Sequence, residues 1–156
     1  FSGLGAPYWE HYIRAILTGF SYKSDKRHVI RAGLESIAFQ IRDLIVHMSA
    51  ASSFSLNMLH VDGGPTRNAF LMQFQADLLG IPVVVPALEE LSAFGAAYMG
   101  GISCAVLPSP QEKAAIKIET KQYSPMMKQS TRQSLIEGWK SAVLQTISRK
   151  VDQPKG

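Results

Sequence analysis

The residues Val61, Asp62, Gly63, Gly64, Pro65, Thr66, Arg67 and Asn68 form the pattern in this sequence best suited to holding a ligand. An apolar run ends at Asp62, a glycine pair follows, Pro65 opens what reads as a helix, and Asn68 stands in its first turn. At the end of a strand, two glycines let the chain turn where a Cβ would clash or block access. The helix that follows points its unpaired N–H groups and the positive end of its dipole at the same place. An asparagine amide both donates and accepts, which matches a purine edge or a ribose. The chemistry indicated is binding of a nucleotide rather than breaking of a bond. The pattern is neither the Walker lysine loop nor the six-residue dinucleotide spacing. On the residues alone, a tight strand–helix turn with a polar first-turn residue explains it as well.

The other reactive side chains do not assemble in sequence. His11, His28, His47 and His60 are far apart, and none stands at metal-ligand spacing with Cys or a carboxylate. Cys104 lies in an apolar stretch without a neighbouring Lys, Arg or His, so an inert, buried thiol is expected. Glu89 and Glu90 precede a helix and complement its dipole better than they make a catalytic pair. There is no G-x-S-x-G. No catalytic residue and no metal ligand is therefore assigned within this chain.

Several elements must position the glycine turn. Residues 57–63 read as a strand too short for a helix, and Pro65 to Leu79 as a helix ended by Gly80. In that helix Phe70, Phe74 and Leu78 share a face, with Leu71 and Met72 beside them. "IPVVVP" (81–86), apolar on both faces, is expected as an interior parallel strand. Upstream, "FSGLGAPYW" reads as loop and "RAILTGF" (14–20) as a short strand. From Asp25, a plausible N-cap, to about Ala51, the residues Ile30, Leu34, Ile37, Ile41, Leu44 and Met48 recur on one helical face. Gly33 inside that helix costs about 1 kcal/mol relative to Ala, which points to a closely approaching backbone. "SAFGAAYMGG" (92–101) is an Ala/Gly-rich helix able to approach another segment closely, and 114–119 fits either a strand or a frayed helix. Residues 127–150 form an amphipathic helix with Leu135, Trp139, Val143 and Ile147 on its stripe and Ile136 and Leu144 widening it. Alternation of this kind argues for α/β architecture, a partly parallel sheet with helices packed on it.

Bulk properties narrow the function classes. The 156 residues make about one domain, and 46% hydrophobic with 18% charged residues is ordinary for a globular chain. The net charge of +4 is scattered, which argues against nucleic-acid binding. Apolar runs are too short to cross a bilayer, which argues against a membrane partner. A lone cysteine precludes an internal disulfide and suits a reducing, cytoplasmic compartment. The chain starts at Phe1 within a Gly/Pro/aromatic loop and reads as a piece of a longer protein.

Taken together, "FSGLGAPYW", "HVIRAGLESIAFQIRD", "VDGGPTRNAFLMQFQADLLGIPVVVP", "SAFGAAYMGG" and "GWKSAV" resemble, in order and spacing from residue 1 to about 147, the C-terminal part of an FGGY-family carbohydrate kinase. Glycerol kinases are the members nearest in wording. The resemblance implies part of an actin-like, RNase H-like ATPase lobe over residues 1–150, with 151–156 as a tail. It implies ATP and Mg²⁺ in an inter-lobe cleft and transfer of the γ-phosphoryl group to a sugar or polyol hydroxyl. Carried over by position, Gly63 and Gly64 present backbone close to the nucleotide and Asn68 contacts the adenine. "SAFGAAY" resembles the second helix connecting the lobes. The family's aspartate base, Gly-Thr-Gly phosphate loop, Mg²⁺ ligands and main polyol contacts belong to segments upstream of this sequence. The fragment alone is accordingly expected to be inactive and to associate with itself or with the missing part. Departures from the glycerol kinase pattern fall at Glu10, His11, Tyr12, Ile13, Arg14 and Ala15, at Tyr22, and at Cys104, Ala105 and Val106. Glycerol leads, with xylulose, ribulose, gluconate or a tetritol as other substrates. The alternative is a non-enzymatic actin-like interaction module.

Overall fold

The computed structural model describes residues 2–52, 55–88, 90–108 and 118–149. Two short strands, β1 (Ser2–Leu4) and β2 (Glu10–Arg14), pair antiparallel. The long helix α1 (Lys26–Ser52) follows. Next come β3 (Leu59–His60), α2 (Ala69–Leu79) and β4 (Val83–Pro86), then α3 (Leu91–Ser103), β5 (Thr120–Tyr123) and α4 (Gln129–Ser148). A second sheet has the order β3-β4-β5, with β4 parallel to β3 and antiparallel to β5. The α/β architecture with a partly parallel sheet is as expected, and "IPVVVP" does supply its interior strand.

The N-terminal segment differs from its sequence reading. Residues 2–4, expected as loop, form a strand, and its partner is Glu10–Arg14 rather than 14–20. Gly3 explains the displacement. It has φ +81°, and a Cβ there would lie 2.7 Å from the carbonyl oxygen of Glu10. Only glycine lets the two strands come this close. The undecided segment 114–119 lies for the most part outside the described residues, and regular pairing begins at Thr120. Residues 151–156 also lie outside them.

Helix α2 is the centre of the fold, with Leu71, Met72, Phe74, Gln75, Ala76 and Leu78 all buried. It packs on α1, on α4 and on the sheet. Arg31 lies over the ring of Phe70, the Gln75 side chain donates to the Ala38 carbonyl (3.4 Å), and Phe39 meets Phe74 edge-on. These pairs advance together along both helices, so α1 and α2 run parallel. Phe39 also stacks on Trp139 of α4 with ring centroids 5.0 Å apart. Each such aromatic pair contributes about 0.5–1.5 kcal/mol beyond area burial.

The face of α1 that packs is not the face picked out by its apolar periodicity. Ala38, Phe39 and Asp43 are buried, whereas Ile30, Ile37, Leu44 and Met48 are exposed, Ile30 by 62%. Asp25 does cap the helix, its Oδ1 accepting from the N–H of Arg27 at 2.9 Å and of His28 at 3.3 Å. At Gly33 no heavy atom of the described residues lies within 4 Å of the place a Cβ would occupy, so none of them supplies the close backbone expected there. On α4, Ile136 and Val143 are buried, Leu135 and Trp139 pack against the core, and Leu144 is exposed.

Asp43 ties the N-terminal loop, α1 and α4 together. Its Oδ2 accepts from the Tyr8 hydroxyl at 2.8 Å and from Trp139 Nε1 at 2.6 Å, while Oδ1 is 3.4 Å from Arg42. Burial first, and then the hydrogen bond to Asp43, push the Tyr8 phenol up to about 12. These three residues come from three separate quoted motifs, "PYW", "IRD" and "GW". Their shared role is structural.

Candidate nucleotide-facing turn

Strand β3 delivers the chain to the glycine pair. The Val61 N–H still donates to the Val84 carbonyl (3.0 Å), so ladder pairing persists to the residue before Asp62. Gly63 then turns with φ +90° and ψ 174°, a conformation that side chains rarely adopt. Its carbonyl accepts both from the Thr66 N–H (3.0 Å) and from the Thr66 hydroxyl (2.7 Å).

The helix expected from Pro65 onward is divided. Gly64–Arg67 form a single 3₁₀ turn, and α2 begins only at Ala69. Asn68 is the reason. Its backbone is extended (φ −86°, ψ 97°), and its Oδ1 accepts from the Leu71 N–H at 3.1 Å. Asn68 is thus the N-cap of α2 and not a first-turn residue. This sharpens the chemistry available to it. The amide oxygen is committed to the cap, and the NH₂ group, without a partner among the described residues, can donate to a ligand.

Among the described residues, nothing crowds the two glycines of the turn. At Gly64 nothing lies within 4 Å of an added Cβ, and at Gly63 only Pro65 Cδ does, at 4.0 Å. Gly63 is required by its own backbone angle. Gly64 is required by no neighbour among the described residues. Gly63 and Asn68, half-buried, and the exposed Gly64 follow one another in the turn beyond the carboxyl end of β3, where open α/β sheets bind ligands. Two clefts lie elsewhere. One, of about 240 Å³, is bounded by residues 12–16, Thr146 and Arg149. The other, of about 510 Å³, lies between α1, α2 and α4. Neither is lined by the turn.

The remaining reactive side chains are dispersed. Among the described residues no group of three or more His, Cys, Asp or Glu is placed to hold a metal. Cys104, expected to be buried, is exposed just beyond the end of α3. An apolar sequence stretch indicates burial only where another layer covers it, and α3 has no buried residue. Glu90 caps α3 without a side-chain hydrogen bond, and Glu89 lies outside the described residues. At Gly95 and Gly100 an added Cβ would meet nothing among the described residues within 4 Å, whereas at Gly101 it would lie 2.7 Å from Leu107 Cδ1, so the close approach expected of this helix is made at Gly101 alone of the three. No described helix is long and apolar enough to cross a membrane.

A parallel strand pair with helices packed on it, and a glycine turn at the carboxyl end of one strand, make the arrangement at which open α/β sheets bind ligands. Comparison with known proteins makes the family specific. Residues 1–104 match the C-terminal domain of the FGGY family of carbohydrate kinases. The glycerol kinase of Caldanaerobacter subterraneus subsp. tengcongensis is 44% identical over 143 residues, 92% of this chain and 29% of the relative. That of Carboxydothermus hydrogenoformans is 41% identical over 98% of this chain and 31% of the relative. The crystal structure of Plasmodium falciparum glycerol kinase with ADP superposes with a TM-score of 0.79 at 28% identity, covering 94% of this chain and 29% of that one. A xylulose kinase from Rhodospirillum rubrum gives 0.67 at 25% identity, covering 87% of this chain and 28% of that one. The chain belongs to the FGGY family of carbohydrate kinases, and its fold is part of their actin-like ATPase fold. It spans less than a third of the length of these relatives.

Proposed function

We propose that this chain is the nucleotide-facing part of the C-terminal lobe, over residues 1–150, of an ATP-dependent polyol or sugar kinase. In the intact enzyme the γ-phosphoryl group of ATP passes to a substrate hydroxyl. Gly63 and Gly64 let the adenosine approach the backbone, and the Asn68 NH₂ group donates to the base. The observation that carries this reading is Gly64, whose missing side chain serves no contact among the described residues while leaving the turn open beside a free amide. The curated glycerol kinases at 41–44% identity support glycerol as the acceptor. Phosphoryl transfer depends chiefly on positioning and charge stabilisation. Because this chain supplies neither a base nor Mg²⁺ ligands, it is inactive alone.

The exposed stripe Ile30, Ile37, Leu44 and Met48 supports a further part of the reading, that α1 is covered in the intact protein or by self-association. A cytoplasmic location fits the lone cysteine. The test is Asn68→Ser in the intact enzyme. Serine keeps an N-cap oxygen but lacks the amide NH₂. Loss of one neutral hydrogen bond, about 0.5–1.5 kcal/mol, raises the KM for ATP about 2- to 13-fold. The KM for glycerol stays unchanged. An unchanged KM for ATP in Asn68→Ser refutes the adenine assignment, and absence of any ATP-dependent turnover of polyols or ketoses by the wild type refutes the kinase.

A further inference from the structure

The larger cleft combines features that the nucleotide turn does not use. It lies at the opposite end of the parallel strand pair from Asn68, since Leu56 and Ile81, which line it, directly precede β3 and β4. Arg42 of α1 and Arg132 of α4 both line it, and no aspartate or glutamate does. Ser49, Ser55 and Gln129 add hydroxyl and amide groups to the wall, over an apolar floor that includes Leu78 and Ile136.

The two guanidinium groups are unevenly committed. Arg132 forms no ion pair among the described residues. It is packed on the end of α2, where a Cβ added to Gly80 would fall only 1.7 Å from one of its terminal nitrogens. The glycine that ends α2 with φ +74° thus also makes room for the guanidinium. Arg42 reaches only Asp43 Oδ1, at 3.4 Å, and the other oxygen of that carboxylate is taken by Tyr8 and Trp139. Two further acidic groups stand near α4 without lining the cleft. Asp77 accepts from the backbone N–H groups of Met126 and Met127, and Glu137 accepts from Gln133. Gln129 opens α4, whose N-cap, Lys128, makes no side-chain cap bond and whose first turn carries no acidic residue. The positive end of the α4 dipole faces the cleft, as does the negative end of α2 on which Arg132 is packed, so the two dipoles oppose each other and the positive field comes from the two arginines.

We propose that this cleft binds the phosphate group of a small phosphorylated molecule between Arg42 and Arg132. Guanidinium forks match phosphate oxygens in bidentate geometry. Arg132, half-buried, has no carboxylate partner among the described residues, and Arg42 shares its one carboxylate, Asp43, with Tyr8 and Trp139, so the pair is only partly neutralised from within. This site is separate from the nucleotide turn and stands or falls independently of it.

The experiment is thermal unfolding of the intact protein against inorganic phosphate, with ionic strength held constant by chloride. In the wild type the melting temperature rises with phosphate and saturates. Arg132→Gln weakens the apparent phosphate affinity about tenfold or more, the scale of a lost charge-assisted pair. Ser49→Glu, which places a carboxylate in the cleft and leaves both arginines intact, has the same effect should Arg132→Gln fold poorly. Asn68→Ser keeps the wild-type response. A wild-type melting temperature indifferent to phosphate overturns the proposal. So does a response kept by Arg132→Gln and Ser49→Glu, or one lost in Asn68→Ser, which places the binding at the nucleotide turn.

Discussion

Replacing Asp43 by alanine tests whether one buried carboxylate holds the three sequence motifs together. The substitution removes the acceptor for the Tyr8 hydroxyl at 2.8 Å and for Trp139 Nε1 at 2.6 Å. Each stranded donor costs about 1–3 kcal/mol when fully buried. Both donors sit on partly exposed residues and recover some hydration, so the lower half of that range applies. The sum is about 3 kcal/mol, and at about 2–4 °C per kcal/mol for a domain of this size the melting temperature falls by about 6–12 °C. Asp43→Asn keeps one acceptor oxygen and loses the charge, so its loss is about half as large. Tyr8→Phe combined with Asp43→Ala costs less than the sum of the two, because the second change removes a donor already stranded. Differential scanning fluorimetry of the wild type, the three single variants and the double variant provides the comparison. An Asp43→Ala melting temperature within 1 °C of wild type, or strict additivity with Tyr8→Phe, refutes the argument.

The other predictions concern the turn and the phenol. Gly63→Ala places a Cβ at φ +90° and destabilises by about 1 kcal/mol or more, whereas Gly64→Ala enters open space and leaves the melting temperature nearly unchanged. If Gly64→Ala nevertheless raises the KM for ATP, the side chain has met the ligand and not the fold; equal stability losses for the two variants would contradict this. The native phenol of Tyr8 holds its proton beyond its ordinary value of 10.0, to about 12. The native state therefore binds more protons than the unfolded state in that interval, and stability present below pH 10 is lost as pH rises toward 12. Wild-type melting temperature should fall more steeply than that of Tyr8→Phe between pH 9.5 and 11.5, and parallel curves would contradict it.

Much of the scaffold around the turn was legible because local and tertiary signals agree there. The apolar run before Asp62, Gly63 and Gly80 each have a backbone cause, and α2 is apolar on nearly every side, so no choice of face was needed. Helix α1 shows the converse. Its extent was legible from Asp25, but several of its faces are apolar, and burial was decided by contact with α2 and Trp139. The compact pair Ala38 and Phe39 won that contact over Ile30 and Ile37. Asp43 gave no local sign, since its partners lie 35 and 96 residues away in the chain. That Arg42 and Arg132 line the same cleft was hidden for the same reason. At Asn68 the residue type was informative and the position within the helix was not. Only the geometry separates the capping oxygen from the free NH₂.

The central claim is that the turn from Gly63 to Asn68 receives the nucleotide. It is tested most directly by titrating the intact, selectively ¹⁵N-labelled protein with ADP and following the Gly63 and Gly64 amides and the Asn68 side-chain NH₂ pair. The account predicts saturable shifts of all three, with the NH₂ signals moving downfield as they gain an acceptor. Bound ADP that leaves these three signals in place would contradict it.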